Sequence, residues 1–235
     1  RMRDIYMTIF KNSQPATVDE VYQDMCERIT SLQLEPGQKI SENQICEDYG
    51  VSRSVIRTVF TRLNQRKLIE VYPQRGTYIS KIDLDFIADL LLFRTAIEKE
   101  VLYEIFDTMD MGQRKNLTDQ LRENLQQQKK YIHSSTYEPE FKRLDSQFHR
   151  IMIDSVQRYN LMQLMEENMI HVTRWRNFDV VFDRRVPELI RQHEVIYNAI
   201  CDNDLTKALR AMSDHLETIS KIHDRAKARF PQYFV

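Results

Sequence analysis

Six histidines stand in a chain of 235 residues, and their placement is the most chemically suggestive feature of the sequence. Asp145 and His149 are four positions apart, so on a helix both project from one face. His193 and His215 fall in later stretches of helical periodicity. Helices packed in a bundle can bring such side chains to one interior point, where imidazole and carboxylate together suit zinc, nickel or a similar divalent ion. A plainer reading competes: Asp and His pairs at this spacing arise by chance, and a histidine on an apolar helix face is more often a core or capped residue. Spacing alone leaves both open. His133, His171 and His223 read as surface residues. Three histidines and a carboxylate with an open position would also serve a metal-dependent enzyme. Against that, no separate general base stands out, since Glu194 adjoins His193 but faces about 100° away on a helix.

A second constellation is basic. Between Arg53 and Arg75 the cations are Arg53, Arg57, Arg62, Arg66, Lys67 and Arg75 against the single anion Glu70, whereas the whole chain has a formal net charge of -1. A surface for a polyanion is thus confined to one element. Around it, helical spacing of Ile45, Val51, Ile56, Val59, Phe60 and Leu63 gives way to alternation through Leu68, Glu70, Tyr72 and then Thr77, Tyr78, Ile79. Residues 40–80 therefore read as helix, turn, helix and a two-stranded hairpin, a winged helix-turn-helix. Gly50 supplies the positive φ of the turn, and Ser52 is placed to cap the helix that starts at Arg53. Arg53 and Arg57 share one face near the end of that helix that points at base edges in a major groove. Arg62 and Lys67 are placed for phosphates, and Arg75-Gly76 marks the hairpin tip as a phosphate or minor-groove contact. Before this element, Thr17 with Glu20 forms a capping box for a helix from Thr17 to Leu32. Residues 1–16 suggest an arm.

After Ser80 the character changes. Gly112 is the last glycine of the chain, which leaves no tight-turn residues for a sheet. Apolar spacing predicts helices over 84–107, 112–133, 138–156, 159–178, 184–202 and 204–229, a bundle of about six. The stripe of the first is Phe86, Leu90, Phe93, Ile97 and Val101. The reading is a mainly α protein: a winged domain over 1–80, a linker at 81–83, and an all-helical effector-binding, metal-binding and dimerisation domain over 84–235. No apolar run approaches ~18 residues, and the opening segment lacks a signal-peptide plan, so a cytoplasmic protein is expected. Cys26, Cys46 and Cys201 are widely spaced in apolar helical patterns, which predicts buried reduced thiols. A two-fold homodimer is expected too, because one winged helix reads too few bases for operator-grade specificity.

The residues Leu34-Glu35-Pro36-Gly37, Glu42, Gly50-Val51-Ser52-Arg53, Arg57, Leu68-Ile69, Pro73 and Arg75-Gly76 resemble the DNA-binding domain of GntR-family bacterial transcription regulators. The resemblance implies that Arg53 and Arg57 read bases and that Arg75-Gly76 is the wing tip. Asn43 stands where many members carry an Arg, Val55 replaces a usual Pro, and Lys67 replaces a Gly. That last side chain meets a left-handed backbone costing ~1 kcal/mol or more. Arg94 and Glu98, Asp145-x-x-x-His149, His193 and His215 are similar to the FCD ligand-binding domain of the FadR subfamily. That resemblance implies a metal held by Asp145, His149, His193 and His215 at the floor of an effector cavity. It further implies a small organic acid as effector, with Arg94 and Arg174 as its counter-charges, and operator DNA as the macromolecular partner. A regulator that senses the metal itself is the alternative.

Overall fold

The computed structural model describes residues 16–134, 136–217 and 219–235, so residues 1–15 of the expected arm lie outside the described residues. The chain forms two compact units. The described residues up to Ile82 together with Arg229–Val235 make the first, and Asp83–Ala228 the second.

In the first unit α1 spans Val18–Thr30 and opens on the expected capping box, in which Glu20 N donates to Thr17 Oγ1 at 3.3 Å and Thr17 N to the Glu20 carboxylate at 2.8 Å. Then come β1 (Lys39–Ile40), α2 (Glu42–Tyr49), α3 (Arg53–Gln65), β2 (Ile69–Tyr72) and β3 (Gly76–Ile79). Gly50 ends α2 at φ 64°, a left-handed turn that aims α3 across α2. Ser52 occupies the N-cap of α3, but its hydroxyl meets that of Ser54 at 2.8 Å and does not cap the backbone. Val21, Met25, Ile29, Ile56, Val59, Leu63, Leu68, Ile69 and Ile79, each at most 1% exposed, form the core. Burial of each such side chain contributes about 1.5–3 kcal/mol.

The wing has one strand more than expected. β1 joins the edge of the antiparallel hairpin in the order β1-β3-β2, with Lys39 opposite Tyr78. Two residues are too few to show alternation, so this strand is visible only through its pairing. The C-terminal segment is a second difference. Residues assigned by sequence to the helical domain return to the first unit, where Ile82 N donates to Tyr233 O at 2.8 Å and Val235 N to Ile82 O at 3.2 Å.

In the second unit the described helices are α4 (Leu84–Thr108), α5 (Met111–Gln128), α6 (Pro139–Ser155), α7 (Tyr159–Asp183), α8 (Val186–Cys201), α9 (Leu205–Leu216) and α10 (Ile219–Arg229). The helix expected over 204–229 is therefore two. Glu217 is extended at ψ 94° and interrupts it, with neither Gly nor Pro to signal the break. The buried stripe of α4 also differs from the apolar one: Phe93 is 50% exposed while Glu98 is 2% exposed. Its inner face runs Leu84, Ile87, Leu90, Leu91, Glu98, Val101, Leu102 and Ile105, so one charged side chain, Glu98, stands in an otherwise apolar face. Leu102, Leu121, Phe148, Ile196, Ile200 and Met212 belong to the main core. Among the described residues no helix is long and apolar enough to cross a membrane. The three cysteines are free thiols, but only Cys26 is buried and Cys201 is exposed, because Cys201 closes α8 on its outer side.

Lys67 has φ 56°, the left-handed backbone that its sequence position implied. Relief of that strain gains ~1–2 kcal/mol, from which the greater freedom of an unfolded glycine subtracts about 0.4–1 kcal/mol. Lys67→Gly is thus expected to raise the stability of the winged unit by roughly 0.5–1 kcal/mol in chemical denaturation, and a loss of stability would contradict the strain assignment.

Candidate functional site

Each of the four proposed ligands occupies a core position of an amphipathic helix. On α6 the buried residues are Phe141, Leu144, Asp145, Phe148, His149, Met152 and Ile153, so Asp145 and His149 lie in the stripe that drives the helix inward. On α8 His193 continues Leu189, Ile190 and Ile196, and on α9 His215 follows Ala208, Ala211 and Met212. The hydrophobic effect that packs these helices delivers the polar groups to one place. One ligand atom from each of the four lies within 4.8 Å of all the others.

The orientation of the rings is set from behind. His149 Nδ1 meets Glu98 Oε2 at 2.5 Å, His193 Nδ1 meets Gln128 Oε1 at 2.8 Å, and His215 Nδ1 meets Gln192 Oε1 at 3.1 Å. All three partners accept, so each Nδ1 carries the proton and each Nε2 presents a lone pair. The amides are themselves anchored. Gln128 Nε2 donates to Asn124 Oδ1 at 2.6 Å, Asn124 Nδ2 to Leu144 O at 3.1 Å, and Gln192 Nε2 to Glu188 at 3.0 Å. Arg94 Nε in turn holds Glu98 at 2.6 Å. Phe148 stacks on the His193 ring at 4.2 Å between centroids.

The inner face is a cluster of acceptors with no protons between them. His215 Nε2 lies 3.1 Å from His149 Nε2 and 3.2 Å from His193 Nε2. Asp145 Oδ1 lies 3.6 Å from His193 Nε2 and has no hydrogen-bond partner, while Tyr137 Oη donates to Asp145 Oδ2 at 2.8 Å. Converging lone pairs repel unless a cation sits among them. Ligands ~2.1 Å from one ion stand about 3.0–3.4 Å apart, which brackets both nitrogen separations. The donor set therefore fits a divalent metal.

Electrostatics agree with neutral imidazoles at His193 and His215. Burial holds His193 down to about 3 against the pull of Asp145, and burial with the neighbouring imidazoles puts His215 well below its usual value. For Glu98, burial would raise the pKa, but His149 and Arg94 outweigh it and hold the carboxyl at about 2. Asp145 is likewise lowered despite burial, with Arg176 the largest of the positive charges that oppose it.

Outside the four ligands, the sequence pointed to Arg94 and Arg174 for an effector. Arg94 is engaged with Glu98 beside the cluster. Arg174 is 1% exposed, and burial pulls it to about 10. The residues missed were Gln128, Gln192, Tyr137 and Arg176, all polar groups facing the cluster or its supports. Their one legible signal is polarity at a core register, such as Gln128 after Leu121, Asn124 and Leu125. Among the remaining histidines, His133 is exposed, His171 is half-buried with its ring 5.3 Å from that of Phe86, and the side chain of His223 lies outside the described residues. Glu194 pairs with Lys129 at 2.6 Å away from the ligands. An open cleft of about 960 Å³ between Ile97, Tyr103, Phe106, Arg158 and Leu161 shares no lining residue with the cluster, and the converging donors, not this volume, identify the site.

In the first unit Arg53 and Arg57 are both exposed on α3. Arg57 Nε meets Glu42 Oε1 at 3.1 Å while its side chain stays 69% exposed. Arg62 is less available than its charge suggested: it pairs with Asp19 at 2.6 Å and lies 3.9 Å from the Tyr22 ring centre. Asn43 on α2, Lys67 and Arg75 are exposed. At the wing tip Gly76 has φ 108°, a backbone conformation that side chains rarely adopt, and this, more than the movable Lys39 tip 2.8 Å from where a Cβ would stand, is what asks for glycine.

The depressed histidines have a consequence for metal-stripped protein. Below pH 6.5 the unfolded chain takes up protons that buried His193 refuses until about 3, so the stability conferred by neutral imidazole is complete above 6.5 and is lost as pH falls. The slope is roughly 1.4 kcal/mol per pH unit for each such histidine. Urea midpoints of chelator-treated protein should therefore fall steeply between pH 6.5 and 4.5, and a flat profile there would contradict the buried neutral state.

Comparison with known proteins extends this geometry. Residues 17–79 match the family described as "Bacterial regulatory proteins, gntR family", and residues 89–218 match the FCD domain. The chain is 29% identical over 212 residues to the HTH-type transcriptional repressor RspR of Escherichia coli, covering 89% of each protein. It is 26% identical to an uncharacterised HTH-type transcriptional regulator of Streptomyces ambofaciens, covering 92% of this chain and 88% of that one. In fold it is similar to Escherichia coli McbR/YncC, with a TM-score of 0.62 at 12% identity over 90% of this chain and 99% of that one. With both of its units matched, the chain belongs to the GntR family, as a DNA-binding transcription regulator that joins a gntR-type winged domain to an FCD domain.

Proposed function

We propose that this regulator binds a palindromic operator as a homodimer and that a small organic acid, bound at a divalent metal in the FCD domain, modulates that binding. The observation that carries the reading is the convergence of three Nε2 lone pairs and Asp145 Oδ1 on one buried point. His149, His193, His215 and Asp145 would hold the ion. Zinc or nickel suits this mixed imidazole and carboxylate set. A bound ion supplies a Lewis-acid anchor for a carboxylate. Glu98, Gln128 and Gln192 keep the imidazoles in the required tautomer. Arg94, 13% exposed in its side chain and already charged against Glu98, is the nearer of the two predicted counter-charges.

On DNA, Arg53 and Arg57 read base edges, and Glu42 steadies Arg57. Lys67, Arg75 and Asn43 meet the backbone, Gly76 lets the wing approach closely, and Arg62 serves chiefly to dock α3 on α1. A metal-sensing regulator is the second reading, favoured by one observation: the four ligands tie together α6, α8 and α9, so an ion alone would stiffen the unit. The enzyme reading finds less support, since the carboxylate nearest His149, that of Glu98, sits behind the ring on Nδ1, where it buttresses and cannot reach a metal-bound group.

Metal analysis of protein purified without chelator should give one ion per chain, and His193→Ala or His215→Ala should remove it and blunt any effector response. No ion in the wild type, or undiminished ion in the double variant, would refute the site. Separately, Arg53→Ala or Arg57→Ala should cost about 1–3 kcal/mol on a selected operator and little on random DNA. Equal losses on both would sink the assignment of readers. Light scattering should show a dimer at micromolar concentration.

A further inference from the structure

Arg176 is a buried charge whose terminal donors neither the fold nor the ligand set uses. It lies on α7 at 4% exposure, and no protein group accepts a hydrogen bond from Nη1 or Nη2. Burial works against its charge. The carboxylate of Asp145, then the Tyr137 phenol, Asp179 and Glu98 together more than offset that. The guanidinium thus sits in the field of the cluster while its two parallel donors remain unused. A planar fork of this kind is shaped for a carboxylate, and Asp179 is already taken by Arg185 at 2.8 and 3.1 Å.

Charge counting points the same way. Of the groups in and around the cluster, the partly buried Arg94 and the buried Arg176 and Arg185 balance the buried Glu98, Asp145 and Asp179. With neutral imidazoles a divalent ion raises this to an excess of two positive charges in a site shielded from water. Such an excess is costly unless paired. A monocarboxylate would offset half of it and leave the Arg176 donors unmet. Counting Arg174, which lies about 160° around the α7 axis from Arg176, only adds positive charge.

We infer that Arg176 forms a second anion subsite beside the metal centre, so that the effector is a small dianion, a dicarboxylate with one carboxylate at the metal and the other on Arg176. The inference rests on the organic-acid reading above and narrows it. The test compares acids matched in length, succinate with butyrate and malate with 3-hydroxybutyrate, by calorimetric titration of protein whose metal content has been verified. Each dicarboxylate is expected to bind at least tenfold more tightly than its partner. Arg176→Gln should cut dicarboxylate affinity at least tenfold and shrink the discrimination to below threefold. Arg176→Lys, which keeps the charge but loses the fork, should fall between. Metal stoichiometry of each variant reports whether it has folded, and the wild-type comparison needs no variant. Monoacids that bind as tightly as diacids to the metal-loaded wild type would overturn the second subsite and leave the organic-acid reading standing. Binding of no acid of either kind would overturn both.

Discussion

Three buried imidazoles that must all direct Nε2 at one point set the terms for the second unit. A lone pair can be aimed only if the opposite ring nitrogen is held, so each histidine demands a buried acceptor, and each acceptor demands a partner of its own. Those demands recruit Glu98 from α4, Gln128 and Asn124 from α5 and Gln192 from α8. Five helices are thereby tied to one register. Sliding any of them by one residue would turn its contribution by about 100° and leave a buried polar group unmet.

The same constraint explains why the bundle places hydrophilic side chains where apolar ones would stabilise more. Glu98, Gln128, Asp145, Arg176 and the three histidines are each at most 5% exposed. A core built only for stability would hold leucines there, and local departures from that rule mark functional sites. Around them Phe148 and Ile196 pack at 0% exposure, which excludes water and strengthens every electrostatic interaction inside.

The winged unit follows the opposite logic. Its core is apolar but for Thr30 and Ser80, and its basic side chains lie on the outside. Part of its basic charge is structural: Arg62 is bound to Asp19 and laid on Tyr22, and Arg66 donates to the Tyr22 hydroxyl at 3.3 Å. What remains outward, Arg53, Arg57, Lys67 and Arg75, is a smaller set than the charge count suggested, and it lies on α3, the turn after it and the wing tip.

Local patterns determined a good deal unaided. The capping box at Thr17, the turn at Gly50, the strained Lys67 and most helix spans were legible, because each depends on bonds and spacings within a few residues. The i,i+4 pair Asp145 and His149 was legible for the same reason. Other features were decided only in three dimensions. β1 exists through pairing with β3, the break at Glu217 carries no breaker residue, and the inner face of α4 follows the polar Glu98 instead of the apolar Phe93. Gln128, Gln192, Tyr137 and Arg176 belong to the site because helices distant in sequence bring them there. Their residue types are ordinary surface types, and what makes them functional is burial beside a particular neighbour, a property of contacts between segments that no one segment encodes.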